Sequence, residues 1–133
     1  MAREDAVALG RLFLDAYVGT IDYEGETEAD AAGVVQSTFD GEFGEFVRHA
    51  SMVVEEGGEL VSASFVTLWK GAPLLAFSVT APPHKGRGLA GLCIRASMRA
   101  LEGAGYSELH LFVTPGNDPA LSAYNRLGFT PVS

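Results

Sequence analysis

The run Pro82-Pro83-His84-Lys85-Gly86-Arg87-Gly88-Leu89-Ala90-Gly91 constrains this chain more than any other stretch. It follows an apolar strand-like segment, Leu74 to Thr80, and opens an amphipathic helix-like one. A strand that delivers a glycine-rich turn to a helix N-terminus makes an anion cradle. The first backbone N–H groups of a helix lack internal partners, and the helix dipole places partial positive charge there. Gly86 and Gly88 put no side chain between that backbone and a bulky anion. Lys85 and Arg87 add positive charge. The pattern calls for a pyrophosphate-bearing ligand.

The chain around this turn has 133 residues, enough for a single domain over 1–133 with one core. A 47% hydrophobic content argues against disorder. The formal net charge of −8 disfavours nucleic-acid binding, which needs a basic surface. That charge suits a cationic or amine-bearing small substrate, and equally suits solubility alone. No apolar run approaches the roughly 20 residues of a membrane span. Met1-Ala2-Arg3-Glu4-Asp5 lacks the regions of a signal peptide. A lone cysteine, Cys93, gives no disulfide framework. A cytoplasmic protein is the expectation.

Periodicity supplies the other elements. Leu9, Leu12, Phe13, Ala16 and Tyr17 share one face of a helix over Ala6–Val18. Asp22 to Glu26 reads as an acidic loop. Thr27 with Asp30 resembles a capping box, opening a helix to about Phe39. Asp40 to Gly44 is a breaker-rich connection. Three strands follow, Ala50–Glu55, Leu60–Trp69 and Leu74–Thr80, joined by glycine turns as an antiparallel meander. In the second strand Val61, Ala63, Phe65, Thr67 and Trp69 alternate with Ser62, Ser64 and Val66. The helix Gly88–Gly103 carries Leu89, Leu92, Cys93, Ala96 and Ala100 on one face, which makes Cys93 a small core residue. Glu108–Thr114 is a strand. Asn117 caps a helix with Pro119 in its first turn and Gly128 as its stop, and Phe129–Val132 begins a last strand. The expected fold class is α/β with a mixed sheet, in the order α-α-β-β-β-α-β-α-β. The step from Leu74 to Thr114 is a parallel crossover.

Gly86 to Gly91 also fits the G-x-G-x-x-G dinucleotide pattern. That reading needs an acid at the end of the next strand to hold a ribose, and Phe112-Val113-Thr114 offers none. The P-loop pattern is absent, since no Gly-Lys-Ser/Thr follows the glycines.

The second half of the chain narrows the choice. The stretch from Leu111 through Asn117, Ala120, Tyr124, Gly128 and Phe129 resembles the closing motif of the GCN5-related N-acetyltransferases. Val79-x-x-Pro82-x-x-Lys85-Gly86-Arg87-Gly88-Leu89-Ala90 is similar to that family's acyl-CoA pyrophosphate motif, with Pro83 in place of the leading Gln or Arg. The resemblance spans roughly Ala6 to the C-terminus. It implies that the sheet here lacks the family's first and last strands, and that a homodimer or strand exchange covers the open edges.

The resemblance further implies acetyl transfer from acetyl-CoA to an amine, small molecule or peptide, by direct attack. Lys85, Gly86, Arg87, Gly88, Leu89 and Ala90 would hold the pyrophosphate. The backbone of Val79 and Ala81 would pair with the pantetheine arm and supply an oxyanion N–H. Tyr124 stands where the family's general acid stands; helical spacing by itself makes it a core aromatic. Asn117 is either a helix cap alone or a cap that also contacts the cofactor, since the two roles do not exclude each other. Ser78 and Thr80 are poor bases. Asp22, Glu24 and Glu26 either bind a cation and relay a proton or are solvated loop charges. His84 contacts phosphate or is merely exposed. His49, His84 and His110 have no metal-ligand spacing, so no metal is expected. Two other readings use the same scaffold: a non-catalytic acyl-CoA-binding or regulatory domain, and an inactive fragment.

Overall fold

The computed structural model describes residues 1–18, 24–113 and 115–130. Helix α1 (Ala6–Tyr17) buries Leu9, Leu12, Phe13 and Ala16, the face that its spacing selects. Helix α2 (Glu28–Phe39) opens on the expected capping box. The Asp30 amide donates to Thr27 Oγ1 at 3.2 Å, and the Thr27 amide donates to Asp30 Oδ2 at 2.9 Å. The two helices approach closely at Gly10, where a Cβ would stand 2.8 Å from the Ala32 backbone nitrogen.

The sheet holds β1 (Glu45–Phe46), β2 (Met52–Glu56), β3 (Glu59–Trp69), β4 (Ala72–Thr80) and β5 (His110–Leu111). Strands β2, β3 and β4 form the expected antiparallel meander, and β4 pairs with β5 in parallel through the crossover helix α3 (Leu89–Gly103). Strand β1 lies on the same edge of β3 as β2, against Thr67 and Leu68. Two residues are too few to show a period, so the sequence held no signal for it.

Phe65 and Val66 are adjacent, fully buried, and belong to opposite cores, as the two-residue period of a strand requires. On one face α1 and α2 pack Leu9, Phe13, Val35 and Phe39 against Ala63, Phe65 and Val79. On the other, Ile94 and Leu101 of α3 meet Val66 and Leu75, with Tyr124 and Phe129 at the margin. Helix α4 (Asp118–Arg126) carries Tyr124.

Three expectations are corrected. The buried stripe of α3 is Cys93, Ile94, Ser97 and Leu101, while Leu92 is exposed. The helix is turned so that Ile94 and Leu101, on one face two turns apart, enter the core; Ser97 between them pairs with Ser64 at 2.7 Å, so a polar residue sits there at little cost. The strand expected over Glu108–Thr114 shrinks to His110–Leu111, with Thr114 outside the described residues. Of the last strand, Phe129 and Thr130 are not in strand conformation, and the remainder lies outside the described residues. Phe129 instead meets the Tyr124 ring edge-on at 5.8 Å.

Candidate active site

Among the described residues, strands β4 and β5 share two residue pairs, Leu74 with His110 and Leu75 with Leu111. β4 then runs on to Thr80, whereas Phe112 and Val113 after β5 no longer pair with it. The gap between them is the floor of a cleft of about 830 Å³. Its walls come from α1 and α2, the turn before α3, and α4. Val79, Lys85, Gly86, Gly88, Leu89, Ala90, Asn117 and Tyr124 all line it, so residues far apart in sequence meet in one place.

The turn has the properties of an anion cradle. Gly86 and Gly88 take positive φ, +82° and +77°, which a side chain would strain. A Cβ at either would meet nothing within 4 Å, so the backbone is bare on that side. Gly88 is the N-cap of α3 and no side chain caps this end. The first helical bond runs from the Leu92 amide to Gly88 O, which leaves the amides of Leu89, Ala90 and Gly91 without helical acceptors. These donors fit a pyrophosphate. Lys85 Nζ donates to Ala16 O at 3.5 Å, tying the turn to the end of α1.

Three of the expected cofactor residues are placed otherwise, Val79 in its backbone only. Arg87 does not line the cleft. Its two terminal nitrogens each donate to Glu56, at 3.0 Å, in a bidentate pair that also draws in His84 Nδ1, 3.2 Å from the same carboxylate. Its charge is spent on fastening the turn to the β2–β3 hairpin. Ala81 is the second. Its amide donates to Val61 O at 2.9 Å and so faces β3. Backbone groups alternate along a strand, and the register Ala63 with Val79 puts Val79 in the same phase. The backbone groups turned toward the gap are those of Ser78 and Thr80. The sequence held no signal for this phase, because either phase satisfies the same side-chain pattern. Glu56 was equally invisible, being one of several acids on a solvent-facing hairpin.

The Glu56 carboxyl is held below the usual glutamate range, first by its hydrogen bonds from Arg87 and then by the charges of Arg87 and His84. A depressed carboxylate stabilises the fold above its unfolded value, ordinarily 4.5, and loses that contribution as pH falls through the folded value. Glu56→Gln is therefore expected to lower the melting temperature modestly at neutral pH. Its melting temperature should converge with that of the wild type below pH 4.5, as thermal denaturation across pH would show.

Asn117 Oδ1 accepts from the Ala120 amide at 3.4 Å, the capping role its position implies, while still lining the cleft. Tyr124 is half-buried. Burial pushes its phenol above the ordinary tyrosine value, and a hydrogen bond with the Ser78 side chain pulls partly back. Ser78 thereby gains a place in the site as the partner of Tyr124. Cys93 is buried, with its thiol raised by burial and turned to Ser62 Oγ at 3.9 Å, away from any nucleophilic use. Of the loop acids, Glu26 lines the cleft, Glu24 does not, and Asp22 lies outside the described residues. Among the described residues no group of His, Cys, Asp and Glu could hold a metal, and no helix is long and apolar enough to cross a membrane.

Known proteins share this fold. The chain superposes in full on 85% of a crystal structure from Pyrococcus horikoshii, with a TM-score of 0.80 at 16% identity. It superposes in full on 86% of an aminoglycoside N-acetyltransferase, AAC(6')-Iy, in complex with CoA, with a TM-score of 0.76 at 14% identity. A ribosomal-protein-alanine N-acetyltransferase from Brucella melitensis gives 0.75 at 19% identity, with all of this chain and 83% of that one aligned. These likenesses carry the fold. In sequence, 50 residues are 40% identical to a mycothiol acetyltransferase of Corynebacterium aurimucosum. That stretch is 38% of this chain and 16% of that relative. The model of the acetyltransferase (GNAT) family matches residues 12–129, from α1 through Phe129. Because that match takes in both halves of the cleft, the chain belongs to the acetyltransferase (GNAT) family.

Proposed function

We propose that this protein is an N-acetyltransferase of one domain, moving an acetyl group from acetyl-CoA to an amine by direct attack. The observation that carries the reading is the cleft itself, where an uncapped helix N-terminus, a splayed strand edge and Tyr124 converge. When bound, acetyl-CoA supplies the activated acyl group. The amides of Leu89, Ala90 and Gly91 and the ammonium of Lys85 hold its pyrophosphate, and Asn117 contacts it at the mouth of the cleft. The gap-facing backbone of Ser78 and Thr80 takes the pantetheine arm as a further strand would be taken. One N–H there is aimed at the developing oxyanion, where a preorganised donor counts most.

Tyr124 serves as the acid for the departing sulfur. A phenol near pKa 10 is a weaker acid than a thiol near 8.5, so complete transfer to a free thiolate is uphill by about 2 kcal/mol. Burial widens that gap. The phenol therefore acts while the bond to sulfur is breaking, and the proton that the attacking nitrogen releases restores the phenol through solvent, so that one proton leaves nitrogen and one reaches sulfur. Ser78 orients the phenol for this.

A thermal-shift titration tests the cofactor assignment. Acetyl-CoA and CoA are expected to stabilise the protein, by about 2.7 kcal/mol at a hundredfold excess over Kd, while NAD does not. No shift with either CoA species would remove the proposal. The acyl-CoA-binding domain without catalysis is the second reading, and binding without turnover on an amine panel would favour it. The outer edge of β5 has no strand on it among the described residues. We expect a second copy to cover it, and sedimentation at micromolar concentration should show a dimer.

A further inference from the structure

The cleft's charges are unevenly shared out. Glu26 is the one carboxylate lining it among the described residues, and no cation pairs with it there. Its position is nonetheless set: Glu26 Oε2 accepts from the Glu24 amide at 3.0 Å, and Thr27 next in sequence is the N-cap of α2. That leaves Oε1 without a partner among the described residues. The nearest helix ends complete the picture. The C-terminal end of α1, the negative end of its dipole, lines the same cleft and already takes one ammonium, that of Lys85 on Ala16 O. Around these groups the wall is apolar and aromatic. Phe13 meets Phe77 edge-on at 4.9 Å and lies 6.1 Å from Tyr17, and all three rings line the cleft.

The cleft thus presents one carboxylate and, on the same lining, a set of aromatic rings, with no cation of the described residues paired to that carboxylate. The groups that match are an organic ammonium for Glu26 and a flat or branched apolar body for the rings, whose faces also attract a cation. We propose that Glu26 is the anionic subsite that selects the acceptor: a cationic amine carrying an apolar, preferably aromatic, body. This rests on the acetyl-transfer reading, whose amine it narrows. Glu26 is a specificity-determining residue here; the bound ammonium gives up its first proton to bulk water before the free amine attacks.

The test reads binding, so that it does not depend on turnover. Protein saturated with CoA is titrated calorimetrically with benzylamine, cationic at neutral pH, and with benzyl alcohol, its neutral counterpart. Wild type is expected to bind the amine at least tenfold more tightly. Glu26→Gln should remove that preference and leave the alcohol's Kd within twofold, with the CoA thermal shift unchanged. Equal affinity for the two probes in the wild type, failure of both to bind while CoA does, or a preference that survives Glu26→Gln would each overturn the proposal. Absence of any CoA shift would instead strike the acetyl-transfer reading beneath it. Raised salt should weaken amine binding in the wild type alone, the mark of a charge pair that a shape change would not reproduce.

Discussion

Tyr124→Phe is expected to lower kcat by about a hundredfold or more, while the KM for acetyl-CoA stays within about twofold. The substitution removes one oxygen and leaves the ring. The edge-on packing against Phe129 at 5.8 Å therefore persists, and the melting temperature should be nearly unchanged. A hundredfold loss corresponds to about 2.7 kcal/mol of transition-state stabilisation, in the range of a positioned general acid. The pH profile gives an independent reading. Activity that needs the protonated phenol falls as pH rises through its pKa, and burial has raised that pKa above the ordinary tyrosine value. The basic limb of the wild type should lie correspondingly high and should vanish in the variant. A loss of less than about threefold, with the limb intact, would leave Tyr124 only the core role that its helical spacing also allows. Ser78→Ala should shift the same limb upward, because it removes the one hydrogen bond that lowers the phenol's pKa.

Phe65→Ala is expected to destabilise the fold by about 3 to 5 kcal/mol. Few substitutions would cost more. The ring is fully buried in the middle of β3, with Phe13 at 5.2 Å, Phe77 at 6.2 Å and Phe39 at 6.5 Å. Deleting it loses the transfer free energy of the ring and leaves a cavity that the neighbouring helices cannot close without moving α1. Against a total stability of about 5 to 15 kcal/mol for a domain of ordinary size, such a loss puts the variant near its threshold. Urea denaturation would show the midpoint falling with an unchanged slope. Phe65→Leu, which keeps most of the volume, should cost distinctly less. The site should feel the change too, because Phe13 and Phe77 are at once neighbours of Phe65 and walls of the cleft. If Phe65→Ala cost under 1 kcal/mol, the sheet would not be packed against α1 and α2 in the way described here.

How much of this was open to sequence reading follows from the range of the forces involved. Local signals were reliable. Thr27 with Asp30 capped α2, Gly86 and Gly88 took positive φ ahead of α3, and Asn117 capped α4. Each depends on backbone geometry within a few residues, so spacing along the chain carries the whole of the information. The order from α1 to α4, β1 apart, and the meeting of the glycine turn with Tyr124 were also legible, through the two motifs and their separation.

The tertiary structure alone decided the rest, because those choices are made between segments that compete for the same partners. Arg87 reads as a phosphate ligand until Glu56, from a hairpin thirty-one residues earlier, takes both of its terminal nitrogens. Val79 and Ala81 read as the pantetheine edge until the Ala81 amide is found on Val61 O. A strand's side-chain pattern says which residues share a face, but the direction of its backbone groups depends on which neighbour it joins first. Here that choice turned Ser78 and Thr80 to the open side. On α3 two apolar stripes competed, and the sheet accepted the one with Ile94 and Leu101, where Ser97 finds Ser64 as its partner. Among the loop acids, only the fold separated Glu26, which lines the cleft, from Glu24, whose amide holds it there. The sequence by itself determined the elements and the chemistry they could carry. Pairing, which is a contest between distant groups for a fixed number of hydrogen bonds, decided which atoms face the ligand.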